Sequence, residues 1–254
     1  MFLILLAILL VAGVAFALYE ADRLKSESFS STYVYEITLW TDATLREVTL
    51  VLPLPETGNY SPIRDALEGE NVSGKPETWN ITVVDRNAVE MLQIHAAEIV
   101  PIYRPPPVPT AEGESVMDVP ESPYPLPSSD QIPVPFRITV TAKSDSPIDT
   151  RSPLGHEPLL YPRFNSTEVE CGFPHQTSDT TACFEYESVL YASYDSPANA
   201  TVSVDISLTA RNEWWMLGWT FNEYQDHIYT EIRSDPGQGQ VIPGELVQGI
   251  GSYS

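Results

Sequence analysis

Four histidines and two cysteines are the residues best suited to chemistry in this 254-residue chain. Cys171 and Cys183 stand twelve positions apart in a polar Gly/Pro/Thr stretch, with His175 four residues after the first and His156 not far before it. Two chemistries fit such a set. One is a disulfide, which closes a loop of about 13 residues and stabilises by about 3 kcal/mol in the chain-entropy picture. The other is zinc, but zinc sites pair close ligands with close ligands, and no second short-spaced Cys pair exists. The disulfide is the expectation, and no metal site is assigned. His95 falls in a strand pattern and reads as structural, and His227 opens another candidate strand. No Gly-x-Ser-x-Gly elbow, His-Glu-x-x-His, P-loop or Gly-x-Gly-x-x-Gly is present, so hydrolase-elbow, zinc-hydrolase, nucleotide and Rossmann chemistries lose their usual signatures. Catalytic residues are therefore unknown and the reading leans away from an enzyme. Carboxylate pairs abound in a chain with 35 acidic residues, so a two-carboxylate glycosidase site cannot be picked out by pairing. No calcium-loop motif occurs, and no cofactor is expected beyond calcium held loosely by Asp145–Asp149 or Ser178–Asp179.

The most distinctive chemistry-bearing stretch is Asn212–Tyr224, which carries three of the five tryptophans. Trp215, Trp219 and Tyr224 are candidate binding residues, because flat rings stack on sugars while neighbouring amides and carboxylates hydrogen-bond. Two other readings stay open: rings that plug the end of a β fold, and Trp at a membrane interface. The preceding strand orders the pair of rings. Inward positions Val202, Val204, Ile206, Leu208 and Ala210 continue by twos to Asn212 and Trp214, so Trp214 should face the core and Trp215 should not.

Asn-x-Ser/Thr sequons stand at Asn59, Asn71, Asn80, Asn165 and Asn199. With eight Asn in the chain, chance predicts roughly 1.4 sequons from the Ser and Thr content. Glycan attachment requires an exported, exposed loop. Export is also what oxidises a lone cysteine pair.

Phe2 to Leu18 is an unbroken apolar run of 17 residues. It lies between a signal peptide's apolar region, about 7–15 residues, and a membrane helix, about 20. Residues 1–18 are thus a signal anchor or a signal peptide cleavable after Ala15-Phe16-Ala17, and 19–31 form a Ser-rich linker. Either way the destination is the cell surface with an extracellular domain, or secretion, with the membrane as first partner.

The formal charge is −22 with only three lysines against ten arginines. That charge excludes a nucleic-acid partner, which needs a basic face to displace phosphate counterions. By composition alone the chain resembles exported cell-surface proteins of halophilic archaea. The resemblance implies a salty habitat, where screening tames carboxylate repulsion, and it implies no particular activity. The rival reading is an acidic surface that collects divalent cations.

Positioning falls to strands. Two-residue alternation marks Thr32–Trp40, Leu45–Leu54, Phe136–Lys143 and Ala200–Ala210. Trp79–Val84, Val89–Val100, Glu187–Tyr194, His227–Ile232 and Gln240–Val247 complete about nine strands by the same criterion. A short helical turn fits Ile63–Gly69. The expected fold is all-β: an antiparallel β-sandwich of immunoglobulin-like or jelly-roll-like type over residues 32–254, preceded by one N-terminal apolar helix. A Pro-rich excursion, 101–135, holds 11 prolines in 35 residues and blocks central strands. It is expected as a loop on one sandwich, the alternative being two β domains, 32–100 and 136–254. The function expected is a binding or structural role at the envelope, with a glycan or envelope protein as partner. The alternatives are a secreted hydrolase on a β scaffold and an accessory subunit of a membrane complex.

Overall fold

The computed structural model describes residues 2–58, 60–69, 71–104, 132–172, 180–216 and 218–253. Helix α1 (Phe2–Ser28) leads without a break into strand β1 (Ser30–Thr41), then β2 (Leu45–Glu56). A short helix α2 (Pro62–Glu68) follows where a turn was expected. Ser61 starts it: its hydroxyl accepts from the Arg64 N–H at 3.1 Å, and Pro62 brings a pre-set φ to the first turn. Then come β3 (Val72–Ser73), β4 (Asn80–Arg86), β5 (Val89–Ile99), β6 (Ile102–Arg104), β7 (Ile132–Val134), β8 (Phe136–Ser144), β9 (Leu159–Tyr161) and β10 (Phe164–Val169). Four long strands end the chain: β11 (Ala182–Asp195), β12 (Val202–Trp215), β13 (Trp219–Glu231) and β14 (Gly239–Gly251). Among the described residues, no helix is long and apolar enough to cross a membrane.

The fold is all-β and antiparallel. Twelve strands make one large curled sheet, ordered β3-β8-β1-β12-β13-β14-β11-β2-β5-β4, with β10 on β11 and β9 on β2. Curling brings non-neighbours together across the interior. Tyr35 of β1 donates its hydroxyl to the Pro53 carbonyl of β2 at 2.7 Å, although four strands separate the two in the sheet order. β1, from before the Pro-rich stretch, pairs on both sides with strands from after it, β8 and β12.

The alternation read from sequence is the alternation observed. Tyr33, Tyr35, Ile37 and Leu39 of β1 and Val48, Leu50, Leu52 and Leu54 of β2 are all buried. On β12 the inward set from Val202 runs by twos through Asn212 to Trp214 without a bulge, matched residue for residue with β1 as far as Glu213. Three boundaries need correction: the expected strand Glu187–Tyr194 begins at Ala182, and Ala200–Ala210 runs on to Trp215. The expected strand His227–Ile232 begins eight residues earlier, at Trp219, so most of the supposed connection Asn212–Tyr224 is a β-hairpin. Its polar members could join the ladder because they are paired inside. Asn212 accepts from Ser31 Oγ at 2.7 Å and from the Ile148 N–H at 2.9 Å, and donates to Asn222 Oδ1 at 2.8 Å.

The Pro-rich stretch leaves and returns through a small ladder, β6 against β7, with Tyr103 Oη donating to the Asp42 carbonyl at 2.7 Å. Residues 105–131 lie outside the described residues. Asp42 follows the last residue of β1, so this stem stands at the opposite end of β1 from α1.

Candidate functional site

Cys171 and Cys183 form the disulfide, with Cα atoms 5.2 Å apart. Both thiols are consumed, which removes them as zinc ligands; His175 lies outside the described residues. Among the described residues no group of three or more His, Cys, Asp or Glu is arranged to hold a metal ion. The loop Asp145–Asp149 is a poor calcium cradle, since the Asp149 carboxylate already accepts from the Arg151 and Ser152 N–H groups at 3.2 and 3.0 Å. Ser178–Asp179 lies outside the described residues. Asn71, Asn80, Asn165 and Asn199 are all exposed, and Asn59 lies outside the described residues. Asn165 differs from the others because its amide nitrogen donates to Glu187 at 2.5 Å.

The histidines do not converge. His95 is exposed on β5 and meets Thr49 Oγ1 across the β2–β5 pair at 3.3 Å. His156 is exposed in a turn closed onto Pro153. His227 has the richest surroundings. It sits on the outer face of β13 and opposes Glu245 of β14, which in turn opposes Glu185 of β11. With Glu187 and Tyr229 these residues line a cleft of about 540 Å³. His227 Nε2 lies 3.0 Å from Asp205 Oδ1, and that hydrogen bond, against partial burial, raises the imidazole above its ordinary value. A protonated His227 balances part of a row of carboxylates that would otherwise repel one another across strands.

Directly inside this cleft's wall lies a residue that sequence reasoning missed. Asp226 is fully buried. It pairs with Arg163 and accepts from Tyr186 Oη at 2.7 Å and the Leu160 N–H at 2.8 Å. The Arg163 guanidinium stacks on the Tyr186 ring, 3.6 Å from its centre. Burial pushes the Asp226 carboxyl above the usual range, with Arg163, Tyr186 and Leu160 pulling against it. The group ties β13 to β11, β9 and the β9–β10 connection. Nothing singles Asp226 out among 35 acidic residues except its place midway between the inward Tyr224 and Ile228.

The aromatic stretch divides in two. Trp214 is buried, with its ring stacked near Phe29 at 6.2 Å between centres and Lys25 Nζ 5.3 Å from its centre. Tyr224, expected as a contact residue, is also buried, which corrects that expectation. It stands opposite Ala210 on the inner face, and its hydroxyl donates to the Pro158 carbonyl at 2.5 Å. Trp215 and Trp219 are directly paired on the outer face and remain 38% and 67% exposed. Their rings meet edge to face at 5.8 Å. Met216 and Phe221 add to the same exposed tip. The end of α1 is built into this hairpin: the Trp215 N–H donates to Ser28 Oγ at 2.8 Å.

Compared with protein-family models, with curated proteins and with solved structures, the chain matches none of them.

Proposed function

We propose that the chain is an exported cell-surface protein, held at the membrane through α1, whose curled sheet packs as a β-sandwich with a binding or structural role at the envelope. The observation that carries this reading is the junction of helix and sheet. α1 runs into β1 through Phe29 alone, and its last turn is fastened to β12 by Ser28, Phe29 and Lys25. Further along the helix, Leu10 and Phe16 lie 63% and 65% exposed, uncovered by any of the described residues. Apolar helix side chains in that position need a non-aqueous partner, and the 17-residue run from Phe2 to Leu18 is near the lower length for a span. Four exposed sequon asparagines and one disulfide agree with export and glycosylation. The acid-rich, lysine-poor composition agrees with a halophilic surface.

The test is fractionation of the native protein. Anchoring predicts retention in membranes through high-salt and carbonate washes, with an N-terminal peptide that begins before Ala17. Recovery solely as soluble protein starting at Leu18 would replace the anchor with a cleaved signal and leave a secreted protein.

A secreted hydrolase is the second reading, and the specific observation in its favour is the cleft that joins His227 to Glu185, Glu187 and Glu245. Turnover of an ester or glycoside that His227→Asn abolishes, in a protein melting as the parent does, would put that reading first.

A further inference from the structure

The exposed tip of the β12–β13 hairpin carries Trp215, Met216, Trp219 and Phe221 within a few residues, at 38%, 44%, 67% and 38% exposure. Large rings cost free energy in water unless something covers them. Strand register gives the direction in which the tip points. Ser30, the first residue of β1, opposes Glu213. β12 therefore overruns the start of β1, and its next two residues are held by the end of α1: Trp214 by Phe29 and Lys25, Trp215 by Ser28. The hairpin thus runs back alongside the helix and points the way the helix came.

We propose that this tip rests in the headgroup layer of the bilayer that α1 enters, so that Trp215 and Trp219 form a second membrane contact beside the helix. The inference rests on the anchoring read above. Distances set how close the tip comes to that layer. Leu18, the last residue of the apolar run, precedes Ser28 by ten residues, about 15 Å of helix. The turn beyond Trp215 reaches back by roughly 3–7 Å, which leaves about 8–12 Å before any helix tilt, which averages about 20°. The headgroup zone on each side is about 5–8 Å thick, so the backbone of the tip falls at or just beyond its outer edge, and the Trp215 and Trp219 side chains have to extend toward the bilayer to enter it. Composition agrees as well. Trp prefers that zone because its ring is apolar while its N–H seeks a partner. Lys25, beside Trp214 and seven residues after Leu18, puts a cation about 10 Å of helix beyond the apolar run, close to the headgroup zone. A sugar ligand on the same rings is the competing occupant. It would leave the pairing with α1 without consequence.

The experiment uses the full chain reconstituted into phosphatidylcholine vesicles, in which the lipid is brominated either near the headgroup or near the methyl end. Bromine quenches tryptophan on contact. The expected result is that headgroup-proximal bromine quenches more than deep bromine, and that Trp215→Phe/Trp219→Phe loses most of this quenching while still floating with the vesicles. Flotation of both proteins with no quenching, or with quenching the double variant keeps, overturns the second contact and leaves the anchor standing. Failure of the parent protein to float overturns the anchor and this contact together.

Discussion

Replacing Arg163 with Met removes the countercharge of Asp226 and leaves a carboxylate stranded in the core. Arg163 is itself nine-tenths buried and Asp226 fully so, so solvent cannot take over the lost role. Removing one partner of a buried pair costs about 3–5 kcal/mol. For a domain of this size that lowers the melting temperature by roughly 10 °C, at about 2–4 °C per kcal/mol. The effect has a pH signature with a definite sign. Burial already holds the folded-state carboxyl above its ordinary value, so the folded state binds more protons than the unfolded state just above that value. Stability from this group is therefore present in acid and lost as pH rises through the folded-state value. Deleting Arg163 takes away an influence that lowers it, which extends the window upward. The destabilisation should be largest near neutral pH and should shrink to about 1–2 kcal/mol near pH 4, where a protonated Asp226 carries no unpaired charge. Urea melts of parent and variant at both pH values measure it. Arg163→Met/Asp226→Leu should recover most of the loss, since an apolar replacement of a buried pair is often neutral. A loss below about 1 kcal/mol at neutral pH, or one equal at both pH values, would refute the account of Asp226 as a buried, paired charge.

Two further outcomes follow from the surface and the hairpin. Trp214→Ala should cost about 3–5 kcal/mol in a denaturant melt, whereas Trp215→Ala should leave the midpoint nearly unchanged; equal losses would show that both rings are structural. With a formal charge of −22, the protein should melt higher as salt rises to about 1 M, where the screening length falls to about 3 Å. A melting point indifferent to salt would remove the halophilic reading.

The strands were legible because their information is local. Every second residue of β12 from Val202 to Trp214 is buried as counted along the chain, and the Trp214/Trp215 division follows from the pleat alone. What lay beyond reach was pairing. That β1 sits between β8 and β12, or that Tyr35 reaches Pro53 across a curled sheet, depends on contacts between residues with no local mark. Tyr224 was misplaced for a related reason. Its face is set by the hairpin connection, which pairs Trp215 with Trp219 and so puts Tyr224 opposite Ala210. Without that register, nearness to tryptophans was a misleading guide. Asp226 shows the same limit in another form. A buried charge betrays itself only through partners, and its Arg163 is 63 residues away. The cleft around His227 likewise draws on four strands, β10, β11, β13 and β14, whose order only the folded sheet supplies.

The stem formed by β6 and β7 bears on how the protein can vary. Its two strands pair Arg104 with Ile132, so the chain leaves the sheet and returns to it at one place. Lengthening such an excursion costs about 0.6 kcal/mol per doubling, and no strand register changes with it. The stem stands a strand length from α1, about 40 Å for the twelve residues of β1. Length can therefore be added or removed at the pole far from α1 with little penalty, while the helix-bearing pole, where Ser28, Phe29 and Lys25 interlock with the hairpin, tolerates no such drift. One end is free to diversify in reach, and the other is bound to keep its shape.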